Sequence, residues 1–151
     1  MNGNTQLKIA ASLSFLAAFL HVAIIFGGAA WYRFFGAGEG MAKLAESGST
    51  EPTVITLSIA AILTVWGFYA LSGAGVVLKL PLLKLALCII TAVFLLRGVA
   101  GLILPFFTNH PMITQNSVTF WLVSSAICCV FGVFYFLGTK NNWERMSSNV
   151  T

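Results

Sequence analysis

The chain has 151 residues, of which 58% are hydrophobic and only 8% charged, and its mean hydropathy is +0.92. Soluble domains carry about a quarter charged residues, so this composition excludes a water-soluble globule. Eight Lys and Arg against four Glu and no Asp give a net charge of +4. With no basic cluster to hold phosphates, that surplus bears on membrane orientation and argues against nucleic acid as a partner.

The first apolar stretch, Ile9 to Trp31, is interrupted by a single ionisable residue, His21. It is long enough to cross a hydrocarbon core of about 30 Å. It exceeds the apolar core of a signal peptide, has one lysine as a leader, and runs into aromatic residues where a cleavage site would need small ones, so it is expected to remain as a span. The segment Gly36 to Glu51 follows. Within it Met41, Leu44 and Ala45 fall at helical spacing, so it is either a short amphipathic helix on the outer surface or an irregular loop. The second apolar stretch, Thr53 to Leu78, holds no ionisable residue and starts just after Ser49-Thr50-Glu51-Pro52, a helix-start signal with proline suited to the first turn. The third, Leu85 to Leu104, is expected to close at Pro105, and the fourth, Val118 to Leu137, at Gly138. Phe106 to Ser117 forms a short uncharged connection, and the chain after Lys140 is polar.

Lys8, Lys79, Lys84, Lys140 and Arg145 fall beside the N-terminus, the middle connection and the C-terminus, against Arg33 and Lys43 in the other two connections. Positive charge marks the cytoplasmic side, so both termini are expected in the cytoplasm. The sequence therefore predicts an all-α membrane protein, an up-down-up-down four-helix transmembrane bundle forming one domain.

Ionisable groups inside a bilayer are costly and face protein or water. His21 and Arg97 each lie thirteen residues beyond a lysine, Lys8 and Lys84, which puts both roughly 20 Å from the inner boundary at 1.5 Å per residue. Thr64 and Trp66 on the second span, and Ser124 and Ser125 on the fourth, are expected at the same level, giving one polar layer in the outer half. Arg97 either snorkels to the outer headgroups or is buried and requires an anion. Since no span carries a carboxylate, the candidate partners are Glu39 folding down between Gly38 and Gly40, helix-end carbonyls, or an acidic ligand such as a fatty-acid carboxylate or lipid phosphate; Glu39 is the expected resting partner. His21 is read as a neutral imidazole bonded across the bundle to Ser or Thr, or as a proton carrier or ligand-binding group. No metal site, cofactor or catalytic residue is predicted: His110 lies in a connecting segment, and neither histidine has a companion at ligand spacing. Cys88, Cys128 and Cys129 make no C-x-x-C pair and are read as small packing residues, as are the glycines of Gly98-x-x-Gly101.

The strings Gly27-Gly28-Ala29-Ala30-Trp31-Tyr32-Arg33-Phe34-Phe35-Gly36-Ala37-Gly38-Glu39, Tyr69-Ala70-Leu71-Ser72-Gly73-Ala74-Gly75 and Leu95-Leu96-Arg97-Gly98 resemble a group of small bacterial inner-membrane proteins. That resemblance implies four transmembrane helices and a bacterial cytoplasmic membrane, and it carries no activity. Leu95 to Leu104 is also similar, over a short stretch, to an Arg-Gly-rich helix of DoxX-like proteins. Small multidrug exporters share the number of spans but use a glutamate in the first helix, where this chain has His21.

The leading functional reading is a membrane protein that binds or passes a small amphiphilic or anionic molecule through an outer-half polar cavity. Arg97 would hold the charge, His21 would hydrogen-bond or exchange a proton, and Trp66 and Tyr69 would line the apolar wall, with Ser124, Ser125 and Glu39 completing the site. The competing reading is an accessory subunit whose polar layer locks helices or joins another membrane protein, as a homo- or hetero-oligomer among membrane lipids. A membrane enzyme is the weakest reading, because no nucleophile and base can be paired.

Overall fold

In hydrocarbon a backbone has no water to satisfy its N–H and C=O groups, and a chain this apolar meets that constraint by coiling into helices. The computed structural model, which describes residues 2–114 and 116–147, has α1 (Gly3–Phe34), α2 (Glu39–Glu46), α3 (Glu51–Gly73), α4 (Leu83–Phe107), α5 (Pro111–Thr114), α6 (Val118–Asn141) and α7 (Trp143–Ser147). Four of these, α1, α3, α4 and α6, are long and apolar enough to cross a membrane, as a multi-pass membrane protein requires. The described residues contain no strand.

The helix limits differ from the apolar stretches for identifiable reasons. α1 begins in polar sequence because the Asn2 side chain accepts from the Thr5 N–H at 2.9 Å, capping the first turn. Near its other end the helix is kinked at Gly28, whose φ of 61° and ψ of −152° are non-helical. α3 stops at Gly73, five residues short of Leu78, because the chain closes there in a Schellman motif. Gly75 takes a φ of 72°, its N–H bonds to the Ser72 carbonyl and the Val76 N–H bonds to the Leu71 carbonyl, capping the orphan carbonyls of the last turn. The same pair of bonds recurs after α1 at Gly36 and after α2 at Gly48. Residues 74–82 are then tied down by Ser72, whose hydroxyl donates to the Leu78 carbonyl and accepts from the Leu80 N–H, both at 2.9 Å.

Neither expected stop on the later spans ends its helix. α4 runs two residues past Pro105, which sits in the last turn and forfeits only its own bond to the Gly101 carbonyl. α6 runs through Gly138 to Asn141 because that glycine is a contact surface and not a cap: a Cβ there would lie 2.6 Å from Leu7 Cγ and 3.0 Å from the Leu7 backbone nitrogen. Leu7 is fully buried and also presses on Gly73 of α3. At this end of the bundle Arg145 reaches Asn4 at 3.0 Å and also bonds the Gly73 carbonyl, while Lys84 bonds Ser147.

α1 packs mainly on α3, α4 mainly on α6, and the two pairs join through α1 against α6 and α3 against α4. Their shared core contains one polar knot. The hydroxyl of Tyr135, fully buried on α6, donates to the Trp66 carbonyl of α3 at 3.0 Å and accepts from Ser14 of α1 at 2.9 Å. Phe94 of α4 stacks on the same ring with centroids 5.6 Å apart, so all four long helices meet at Tyr135. The outer faces are apolar instead, with Phe26 87% and Leu96 70% exposed, the inverse of a soluble bundle and the surface that lipid requires.

Tyr135→Phe keeps the ring and removes the knot. It is expected to lower stability by about 1 kcal/mol, the scale of a hydrogen bond between membrane helices, and to be less than additive with Ser14→Ala in thermal melts in a neutral detergent. Full additivity of the two changes would show that the hydroxyls do not act together.

Candidate functional site

The half of the α4–α6 seam nearer the end of α4 and the start of α6 is built on two glycines. Gly98 lies against Cys129 and the Ser125 backbone, and Gly101 lies against the Ser125 hydroxyl, the Arg97 guanidinium and Trp121. With no side chains in the way, Arg97 folds along α4 into this seam. Its Nη1 donates to Ser125 Oγ at 3.1 Å and its Nη2 to Ser124 Oγ at 3.3 Å. The guanidinium carbon stands 4.6 Å from the centroid of the Trp121 ring, within cation–π range. The indole is itself fixed, since Trp121 Nε1 donates to the Ile113 carbonyl at 2.9 Å. Ser125 is fully buried. Two of the five guanidinium N–H groups thus serve neutral hydroxyls, and among the described residues Arg97 forms no ion pair.

Glu39 is not its partner. Arg33 takes that carboxylate in a two-pronged pair, Nε to Oε2 at 2.8 Å and Nη2 to Oε1 at 2.9 Å, and its Nη1 donates to Glu46 Oε1 at 2.7 Å. The turn at Gly36 reverses the chain, and Glu39 and Glu46, seven residues apart, lie on one face of α2 two turns from each other, so both reach back to Arg33. α2 is the amphipathic helix left open by the sequence: Ala42 is fully buried, in a cluster with Ile24 and Tyr32 and with Met41 and Ala45 packed against it. The hydrogen bonds from Arg33 hold both carboxyls below the ordinary carboxylate value, against the opposing effect of desolvation.

The remaining expected site residues lie apart from Arg97. His21 Nδ1 is 2.7 Å from the Ala17 carbonyl of its own helix, so the ring is bonded along α1 and not across the bundle. Thr64 likewise donates to the Ala60 carbonyl at 2.8 Å. Trp66 meets Phe94 edge-on with centroids 5.1 Å apart, at the level of Tyr135, which is ten residues and about 15 Å along α6 from Ser125. α3 begins at Glu51, fifteen residues before Trp66, which accounts for that greater depth. The Tyr69 hydroxyl donates to the Pro81 carbonyl at 3.2 Å, at the far end of α3. The structure brings together Arg97, Ser124 and Ser125, and adds Trp121, which three- and four-residue spacing on α6 places on the same face as the two serines. Among the described residues no three His, Cys, Asp or Glu side chains gather as a metal site would need. No family model, curated protein or solved structure matches the chain.

The lowered carboxyl pKa values have a testable consequence at α2. A carboxylate whose folded pKa is depressed adds stability above its unfolded pKa and loses it as pH falls through the folded value. Protection of α2 amides, corrected for the intrinsic pH dependence of exchange, should therefore persist at neutral pH and collapse below the ordinary carboxylate range. Glu39→Gln/Glu46→Gln should show the loss already at neutral pH; equal protection in the double variant would mean that α2 is held by Ala42 packing alone.

Proposed function

We propose that the Arg97 site binds the acidic head of a small amphiphile, a carboxylate or a phosphate monoanion, from the membrane. The supporting observation is a cation within a membrane-spanning helix that has hydroxyls and a ring as partners but no carboxylate. Arg33 holds Glu39 and Glu46, Glu51 opens α3, and Glu144 lies on α7, so among the described residues no carboxylate pairs with Arg97, and on this reading its counter-charge comes from outside the chain. A guanidinium is suited to this role because its planar fork pairs an oxyanion through two parallel N–H bonds, and Trp121 gives the adjoining apolar part a surface. We read the protein as a bacterial inner-membrane bundle of up-down-up-down topology with both termini cytoplasmic. The charge bias of Lys8, Lys79, Lys84, Lys140 and Arg145 supports that orientation, as does their grouping near Leu7 and Gly73.

A structural reading rests on a different observation: the glycines at 98 and 101 bring α4 and α6 into close contact, so the Arg97 bonds to Ser124 and Ser125 also lock the seam. The two readings separate by charge dependence. In a neutral detergent, laurate should bind at least about tenfold more tightly than uncharged monolaurin, the scale of one charge-assisted hydrogen bond. Arg97→Gln should abolish that difference, and Arg97→Lys should retain only part of it. Equal binding of both amphiphiles by the wild-type protein, with Arg97→Gln merely lowering the melting temperature, would leave the lock as the function of this arginine.

The orientation has its own test. Reporter fusions after Lys79 or Lys140 should read cytoplasmic, and fusions between Gly40 and Gly48 external; a cytoplasmic signal from the latter would reverse the arrangement.

A further inference from the structure

At the opposite end of the same seam, α4, α6 and α7 line a groove of about 600 Å³ that opens on the outside of the bundle. Its walls repeat one spacing. On α4, Cys88, Thr91, Ala92 and Leu95 stand at i, i+3, i+4 and i+7, and on α6 and α7 the positions of Phe136, Thr139, Lys140 and Trp143 do the same, so one face of each helix lines a channel about 10 Å long. The deep part is apolar. The rim, at the last turn of α6, carries Lys140 and Trp143.

One group in this lining is out of place for a mere gap in packing. A helical threonine in an apolar setting satisfies its hydroxyl on the carbonyl four residues back, as Thr91 does with Leu87 at 2.7 Å and Thr64 with Ala60 at 2.8 Å. Thr139, only 5% exposed, does not: its Oγ1 is buried and has no hydrogen-bond partner among the described residues. An unsatisfied hydroxyl in hydrocarbon is costly. It lies next in sequence to Lys140, which is exposed and forms no ion pair among the described residues. Lys84 stands over the Trp143 ring at 4.4 Å, so two cations, Lys84 and Lys140, stand by this rim.

We infer that the groove holds one acyl chain of an anionic phospholipid of the surrounding bilayer, with the lipid phosphate paired with Lys140 and the Thr139 side chain turning its hydroxyl into the groove to donate to that phosphate. The apolar trough takes the chain, Trp143 sits at headgroup level where indoles are enriched, and the phosphate supplies the acceptor and the charge that the protein leaves unmatched. The site is separate from Arg97, lying toward the other end of the bundle, and does not depend on the function proposed there.

The test uses full-length protein in vesicles of phosphatidylcholine with phosphatidylglycerol as the minor lipid, extracted and weighed intact by native mass spectrometry. On an Arg97→Gln background the chain should retain one phosphatidylglycerol, enriched at least about tenfold over the bulk mixture. Lys140→Gln should keep a lipid but lose the headgroup preference, and Thr139→Val should weaken the preference severalfold. Ala92→Phe, at an exposed position that fills the trough without entering the core, should lose the retained lipid while keeping the wild-type helical content. Building these variants on Arg97→Gln removes the cation of the other candidate site, so that lipid held there does not enter the comparison. Retained lipid that mirrors the bulk composition, or enrichment that survives both Lys140→Gln and Ala92→Phe, would overturn the proposal. So would a lipid-free dimer dissociated by Ala92→Phe, which would assign the groove to a second copy of the chain.

Discussion

Inside a bilayer an unpaired polar atom cannot fall back on water, and that constraint organises this molecule more than any apolar contact does. Helix faces here are greasy all round, so burial alone says little about which face turns inward. The Tyr135 hydroxyl supplies the missing direction, because it has partners only where α1 brings Ser14 and α3 brings the Trp66 carbonyl. Close approach is granted by small residues: Gly67 beside Trp66 lies against Phe15, and Gly73 and Gly138 receive Leu7. Packing between such surfaces, not exclusion of water, is what holds helices together in lipid.

Beyond the side chains bonded across helices, such as Ser14 and Tyr135, the same constraint sets apart two further kinds within the spans. Thr64, Thr91, Ser58 and His21 are satisfied by carbonyls of their own helices and place no demand on their surroundings. Arg97 and Thr139 are different. The first carries a charge that two hydroxyls and an indole stabilise but do not neutralise, and the second is a buried hydroxyl with no acceptor. Both lie on the α4–α6 seam, at different depths, and at each the proposed oxyanion would supply the missing partner.

The number and rough extent of the spans, and the amphipathic character of Glu39–Glu46, were legible in the sequence because hydrophobic runs and helical spacing are local properties. So was the association of an in-membrane arginine with small residues and serines. What escaped is equally physical. Glu39 was assigned to Arg97 by charge type, whereas the reversal at Gly36 brings it to Arg33, six residues away, with Glu46 as a second tooth. Gly75 is a stop and Gly138 is not, although both are glycines in apolar sequence; the first has a φ of 72° and the second lies inside a helix against Leu7. Depth counted from the end of an apolar run puts Trp66 at the level of Arg97, whereas it lies deeper, beside Phe94 and Tyr135. Tyr135 is not singled out by the sequence, because a tyrosine among phenylalanines looks apolar, and only the fold shows which carbonyl its hydroxyl meets.

The central claim, that the counter-charge of Arg97 is supplied from the membrane, is tested most directly by solid-state NMR on protein in lipid bilayers. With the guanidinium of Arg97 labelled with nitrogen-15, and with phosphatidylglycerol and carboxyl-carbon-13 laurate present, dipolar dephasing to phosphorus or to the labelled carboxyl is predicted at hydrogen-bonding range, and which nucleus responds tells the phosphate from the carboxylate. Absence of dephasing to either nucleus, with the guanidinium still beside Ser124 and Ser125, would contradict the account and leave Arg97 as a helix lock.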